Sequence, residues 1–211
     1  LIDVPETKIH SAQVILSLVG CVGLMGINTE NCLIGVNNIN TGNAKPRVIW
    51  PILVRKTLEA KNLSGMRETL INAHVTSGHN YLISSLEGGE HWEVTPDLSE
   101  CVGRVEKKQV GHAFHTNHCL GPEIQKLEDK SSQSSTTYNR FNMLTKKIGN
   151  VKDLTSFKGL LTDHEEFPKS ICSHFENGTQ DPSFTCGGGI HDFNRGLSVF
   201  WRGCPVHDKD Y

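Results

Sequence analysis

Short segments in which apolar and polar side chains alternate predict β-strands in three parts of the chain. Turns rich in Asn and Gly separate neighbouring segments, so consecutive strands are expected to pair as antiparallel hairpins. The predicted strands cover residues 13–19, 23–28, 32–36, 80–85, 91–94, 111–115, 184–190 and 197–202.

Apolar residues at helical spacing predict two pairs of helices between these groups of strands. Pro51 suits the first turn of the first helix, and Ser64 is the expected N-cap of the second. The third helix should end near Gly149, and Asn150 or Asp153 should begin the fourth. This order of strands and helix pairs predicts an α+β fold in which paired helices cover antiparallel sheet.

Composition narrows the partners that the chain can have. The 211 residues include 21 Lys and Arg against 23 Asp and Glu, a formal net charge of −2. Nucleic-acid binding needs a clustered excess of basic residues, so no nucleic-acid partner is expected. The longest apolar stretch, residues 14–25, is shorter than the about 18 residues of a membrane span, so no membrane partner is expected. The length suits one domain over residues 1–211.

Seven scattered cysteines, with no C-x-x-C spacing and an odd total, do not predict a disulfide scaffold. The first residues lack a basic segment followed by an apolar one, so no signal peptide is expected. The compartment stays open, with a cytoplasmic or organellar location favoured over secretion.

The densest group of polar side chains lies between residues 111 and 119. Imidazole and thiolate are zinc ligands, so His112, His115, His118 and Cys119 allow a zinc site. On a strand, however, His112 and His115 point to opposite faces, which favours histidines hydrogen-bonded to nearby carbonyls. A third alternative makes Asn117 a neutral amide donor to an oxyanion in acyl transfer. Because no phosphate loop, G-x-S-x-G or H-E-x-x-H motif occurs, we expect no metal and no cofactor.

The H-T-N-H segment at residues 115–118 resembles that of the isopenicillin N acyltransferase family. This family consists of N-terminal-nucleophile hydrolases and includes the β-alanyl-dopamine hydrolases of insects. Other segments match the family's motifs in the same order along nearly the whole chain. They are G-x-x-G-x-N at residues 23–28, G-x-N-N at 35–38, S-G-H-N-Y-L at 77–82, Ser134 to Thr136 with Arg140, S-I-C at 170–172 and W-R-G-C-P at 201–205.

The resemblance implies an αββα sandwich, in which two antiparallel sheets lie between helix layers, within a single domain. It also implies cleavage or transfer of an acyl group at the amide bond of a small N-acyl or acyl-donor compound. In this family a precursor cuts itself and exposes an N-terminal cysteine. The thiol of this cysteine attacks the carbonyl, and its own α-amine serves as the base.

Site residues follow from the matched motifs. Asn117 would donate to the oxyanion, and either Asn37 or Asn38 would contribute beside it. His115, Thr116 and Asn80 would support the oxyanion or the substrate.

One feature of the family is missing from the printed sequence. The nucleophilic cysteine lies upstream of the segment that matches residues 13–28, and by position none of the seven cysteines takes its role. We therefore expect an N-terminal segment or a partner chain outside these residues to carry the nucleophile, and the domain to be incomplete at its N-terminus. The alternative is a binding protein that keeps the fold without the chemistry.

Overall fold

The computed structural model describes residues 1–132, 136–174 and 184–207. The chain divides into two compact units, Leu1–Ser134 and Ser135–Tyr211, while the single domain over residues 1–211 stays a prediction. Across the described ranges, no helix has the length and apolar character that crossing a membrane requires.

The first unit is built on a seven-stranded antiparallel sheet in which each strand pairs with its neighbours in the sequence. Short turns join β3 to β4, β5 to β6 and β6 to β7, and each returns the chain beside the strand it has just left. Longer connections join β1 to β2, β2 to β3 and β4 to β5. The strands are β1 (Ile2–Val4), β2 (Gln13–Leu16), β3 (Met25–Asn28), β4 (Leu33–Asn38), β5 (His79–Ser85), β6 (Gly88–Val94) and β7 (Ser99–Glu106).

Two helices, α1 (Trp50–Thr57) and α2 (Leu63–Ile71), connect β4 to β5. Pro51 lies in the first turn of α1, as predicted. The predicted cap of α2 is wrong: Asn62 rather than Ser64 is the N-cap, and its side chain accepts a hydrogen bond from the Gly65 N–H at 2.9 Å. Asn is as effective as Ser in this position, which explains how the helix can begin two residues earlier than predicted.

The main hydrophobic core lies between these two helices and one face of the sheet. Its largest fully buried side chains are Ile15, Ile34, Val54, Leu58, Met66, Leu70, Tyr81 and Ile83. On the same face the buried Glu90 accepts a bidentate ion pair from Arg67 of α2, which fixes the helix against β6. Because α1, α2 and this core cover one face of the sheet, the polar side chains described below lie on the opposite face.

The predicted strand at residues 111–115 is wrong, and β7 was not predicted. Residues 110–116 form no regular element, whereas Ser99–Glu106 pairs with β6 despite three charged side chains. Pairing with β6 satisfies the backbone of β7, so tertiary context outweighs its weak strand pattern.

The second unit contains α3 (Thr137–Lys147), α4 (Leu154–Leu161) and the hairpin of β8 (Gly187–Asp192) and β9 (Leu197–Arg202). The hairpin and both helices are confirmed predictions. Asp153 caps α4 in a capping box with Ser156, and Gly196 provides the positive φ of 59° that the hairpin turn requires. Short 3₁₀ helices cover Ile124–Leu127, Lys130–Ser132 and Ile148–Asn150.

The α+β class with two antiparallel sheets is thus confirmed, with seven strands in one sheet and two in the other. The described part of the chain has two helices before β5 and two between β7 and β8, as the sequence indicated.

Candidate functional site

Four polar side chains form a row across the sheet, on the face opposite α1 and α2. Asn37 of β4 pairs with Asn80 of β5, Asn80 pairs with Glu93 of β6, and Glu93 pairs with Glu100 of β7. Directly opposite residues in neighbouring strands share a face, so their side chains lie side by side. Asn80 and Glu93 are fully buried, which is costly for polar groups unless they have partners.

The carboxylate of Glu93 is the best satisfied group in this row. Its Oε1 accepts hydrogen bonds from the Leu120 backbone N–H and from His115 Nε2, both at 2.7 Å, and its Oε2 accepts from the Gly121 N–H at 2.9 Å. Three donors converge on this one carboxylate, which offsets the cost of burying it. Glu93 therefore holds the loop after β7 onto the sheet.

The ring of His115 has an acceptor at each nitrogen. Nε2 faces Glu93, and Nδ1 lies 2.7 Å from the carbonyl oxygen of Thr116. The Thr116 carbonyl can only accept, so Nδ1 donates to it, and Nε2 is joined to the Glu93 carboxylate. His115 and Glu93 thus form a fully buried hydrogen-bonded pair that sets the conformation of the segment leading to Asn117.

Asn117 lies at the end of this segment, half-buried, beside the last residue of β4. Its Nδ2 donates a hydrogen bond to the backbone carbonyl of Asn38 at 3.0 Å. Thr116 Oγ1 and His118 Nδ1 are joined at 3.2 Å, and both residues are buried. The hydrogen bond to Asn38 thus orients the amide of Asn117.

Asn37 and Asn38, between which the sequence left the choice open, lie in different surroundings. Asn37 lies in the polar row beside Asn80, whereas Asn38 reaches Asn117 through its backbone carbonyl. The exposed side chain of Asn38 donates to Asn40 Oδ1 at 2.7 Å. Their contribution to an oxyanion stays a prediction.

Asn80 is tied to a second buried histidine on the same face. His91 Nδ1 lies 2.9 Å from Asn80 Oδ1, and the His91 and His115 ring centroids lie 6.0 Å apart. Burial, and then the charge of His115, lowers the pKa of His91 to about 4, so the neutral ring donates from Nδ1. Asn80 Nδ2 is buried and has no hydrogen-bond partner among the described residues, which is rare for a native donor.

Close packing at Gly121 leads to a first testable prediction. An added Cβ would lie 2.4 Å from Glu100 Oε2 and 3.1 Å from Glu93 Oε2, while Glu100 Oε2 also accepts from the Ile124 N–H. Gly121→Ala is therefore expected to lower the free energy of unfolding by about 1–3 kcal/mol, measured by urea unfolding.

The matched control is Gly42→Ala, where the nearest atom would be 3.9 Å away. If both variants have the same stability, Gly121 does not lie against the two carboxylates as described.

Buried neutral histidines also predict how stability depends on pH. Burial lowers the pKa values of His79 and His91 to about 4, below the ordinary 6.5. The unfolded chain therefore binds more protons between these values, so stability is full above about pH 6.5 and falls as the pH decreases towards 4. For His91 alone the loss is expected to be about 3 kcal/mol, measured by urea unfolding across this range.

His91→Gln should make this pH dependence shallower, and replacement of the exposed His112 by Gln should leave it unchanged. If the free energy of unfolding changes with pH equally steeply in the wild type and in His91→Gln, His91 does not titrate as proposed.

The zinc alternative at His112, His115, His118 and Cys119 is not supported by this geometry. Both ring nitrogens of His115 are used by Glu93 and Thr116, and the ligand atoms of the four residues do not converge on one point. Burial and the nearby Glu128 raise the pKa of Cys119, so its thiol stays protonated. Cys119 is therefore neither a metal thiolate nor a ready nucleophile.

Sequence analysis missed Glu93, His91 and Glu100. The usable signal was the alternation in β6 and β7 that places each of them on the face of Asn80. Of the family motifs, the segment at Ser134 and Ser135 lies outside the described residues; within the second unit, Arg140 Nε donates to Thr136 Oγ1 at 3.1 Å.

No family model matches the chain. The chain is 25% identical over 168 residues to the acyl-coenzyme A:6-aminopenicillanic-acid-acyltransferase 40 kDa form of Emericella nidulans. The alignment covers 75% of this chain and 44% of the relative. The chain thus spans less than half the length of this relative. A solved structure of the Caenorhabditis elegans N-acylethanolamine-hydrolyzing acid amidase ortholog matches with a TM-score of 0.47 and 11% identity, covering 79% of this chain and 80% of that one.

Proposed function

We propose that this chain, which is related to the isopenicillin N acyltransferase family, is part of an amidohydrolase or acyltransferase acting on carbon–nitrogen amide bonds of small N-acyl compounds. The observation that carries the proposal is the placement of Asn117. Its amide lies beside Asn38 at the end of β4, on a loop that the buried Glu93–His115 pair holds in place. A fixed neutral donor of this kind stabilises negative charge without having to reorganise.

In the proposed reaction, the thiol of an N-terminal cysteine from an upstream segment attacks the amide carbonyl, and its α-amine takes the thiol proton. The carbonyl oxygen becomes an oxyanion that accepts from Asn117 Nδ2. As the intermediate collapses, the carbon–nitrogen bond breaks, and the leaving amine takes the proton back from the ammonium group. Water or a second amine then cleaves the thioester, which gives hydrolysis or transfer.

The side-chain amides of Asn117 and Asn80 support this proposal. A primary amide nitrogen carries two N–H donors, and the bond to the Asn38 carbonyl fixes the plane in which both point. The buried Asn80 Nδ2 offers a further donor on the same face of the sheet. We assign it to support of the substrate, together with Asn37 and Thr116.

The experiment that tests this function uses the complete gene product, including any upstream segment with its cysteine. It is incubated with a panel of N-acyl amines and N-acyl amino acids, and released amine and enzyme-bound thioester are followed by mass spectrometry. Amine release that is lost when the N-terminal cysteine is replaced by alanine would support the proposal. A folded, self-processed protein that cleaves no amide in the panel would contradict it.

The second candidate is a binding protein that keeps the fold without the chemistry. The protonated thiol of Cys119, beside Asn117 in the sequence, favours it, since this cysteine cannot replace the missing nucleophile. The intact mass of the natural protein distinguishes the two: an N-terminal cysteine supports the enzyme, and a start near Leu1 supports the binding protein.

A further inference from the structure

Three side chains that can bind a metal come together in the second unit. His164 follows α4, His174 ends the next described segment, and Cys204 follows β9. One ligand atom from each lies within 4.8 Å of the other two. Cys204 Sγ lies 3.2 Å from His164 Nε2, and the ring centroids of the two histidines lie 5.0 Å apart.

This spacing is close to that of a tetrahedral zinc site. Zinc binds sulfur at about 2.3 Å and imidazole nitrogen at about 2.0–2.1 Å, which places two such ligands about 3.5 Å apart. The observed distance between Cys204 and His164 differs from this value by a few tenths of an ångström. Small side-chain rotations would therefore bring all three ligand atoms onto one ion.

Backbone hydrogen bonds hold the three segments in place without an ion. The Cys172 N–H donates to the Asp163 carbonyl at 2.9 Å, next to His164. The Thr185 N–H donates to the Ser173 carbonyl at 2.8 Å, next to His174. The His207 N–H donates to the Cys204 carbonyl at 3.2 Å, in the turn that carries the thiol. The donor set is thus preorganised, which lowers the cost of binding an ion.

The surroundings also suit a zinc site. Cys204 is fully buried, and the rings of Phe167 and His207 flank His174 with centroid distances of 4.9 and 4.0 Å.

We propose that His164, His174 and Cys204 bind one zinc ion, with water as the fourth ligand. Two imidazoles and one thiolate form a ligand set that zinc uses in proteins, and three protein ligands leave one position open. The ion would cross-link segments 40 residues apart in the sequence and stabilise the end of α4 against the turn after β9. This site is independent of the proposed acyl-transfer function, since it uses none of its residues.

The test uses the complete protein, stripped of metal and titrated with Zn²⁺, and in parallel with Co²⁺ as a spectroscopic probe. We expect one ion per chain, with the cobalt form showing tetrahedral ligand-field bands and a thiolate-to-cobalt charge-transfer band. Cys204→Ser should lose the charge-transfer band, and His164→Gln and His174→Gln should lose the tetrahedral spectrum. Cys186→Ser, which removes an exposed cysteine of the same unit, is the matched control and should bind as the wild type does.

The wild-type titration decides the proposal even if a ligand variant fails to fold. Wild-type protein that takes up no stoichiometric zinc, or whose cobalt form shows no thiolate band, would overturn it. Loss of the band in Cys186→Ser and not in Cys204→Ser would overturn it as well.

Discussion

Replacing Glu93 by alanine is expected to lower the free energy of unfolding by about 3–5 kcal/mol, because it leaves one buried imidazole and two backbone N–H groups without their acceptor. His115 would lose the acceptor at Nε2, and the backbone N–H groups of Leu120 and Gly121 would lose theirs. Glu93→Gln keeps one acceptor oxygen and should cost less. We expect the free energy of unfolding to decrease in the order wild type, Glu93→Gln, Glu93→Ala, measured by denaturant unfolding of the three proteins.

A control and a double-mutant cycle make this prediction specific. Glu123 lies on the same loop, but its carboxylate is 60% exposed and pairs only with Lys126 among the described contacts, so Glu123→Ala should cost less than about 1 kcal/mol. Glu93→Ala and His115→Ala should be strongly non-additive, since they remove the same pair. Additive effects of these two variants would mean that no Glu93–His115 pair holds the loop.

Asn117→Ala is expected to reduce kcat about 100- to 1,000-fold in the complete, self-processed protein, the usual cost of losing one oxyanion donor. KM should change little, because the lost hydrogen bond strengthens only when the carbonyl oxygen gains charge. Steady-state kinetics on an amide that the wild type cleaves, together with denaturant unfolding, measure both effects.

Asn194→Ala is the matched control, because this asparagine lies exposed in the turn between β8 and β9. It should leave kcat unchanged. A wild-type kcat in a folded Asn117→Ala protein would remove Asn117 from the chemistry, and a raised KM alone would make it a substrate-binding residue.

Local signals predicted the parts of the fold that depend on local chemistry. The hairpin of the strands predicted at 184–190 and 197–202 and the helix that begins at Asp153 each rest on residues close in the sequence. The predicted strand at residues 111–115 failed because no strand in the described part of the chain pairs with it. β7 was missed for the opposite reason, since pairing with β6 and not its own pattern stabilises it.

In the candidate site, too, local motifs identified some residues, and only the fold identified the others. Asn117, Asn80 and His115 were found through motifs, but Glu93 was not, because its partners lie 22 to 28 residues further along the chain. A glutamate in a strand normally faces solvent, and only the fold shows that three donors converge on this one. The His164, His174 and Cys204 group was missed because its members are scattered and follow no zinc-ligand spacing.

The most direct test of the central claim is a crystal structure of the complete protein with a trifluoromethyl ketone analogue of an N-acyl substrate bound to its N-terminal cysteine. The thiol adds to the ketone carbonyl, and the resulting hemithioketal keeps an oxygen where the tetrahedral intermediate would have its oxyanion. The account expects Asn117 Nδ2 to lie about 2.7–3.1 Å from that oxygen. An adduct oxygen that faces solvent or other donors, with Asn117 out of hydrogen-bond reach, would contradict it.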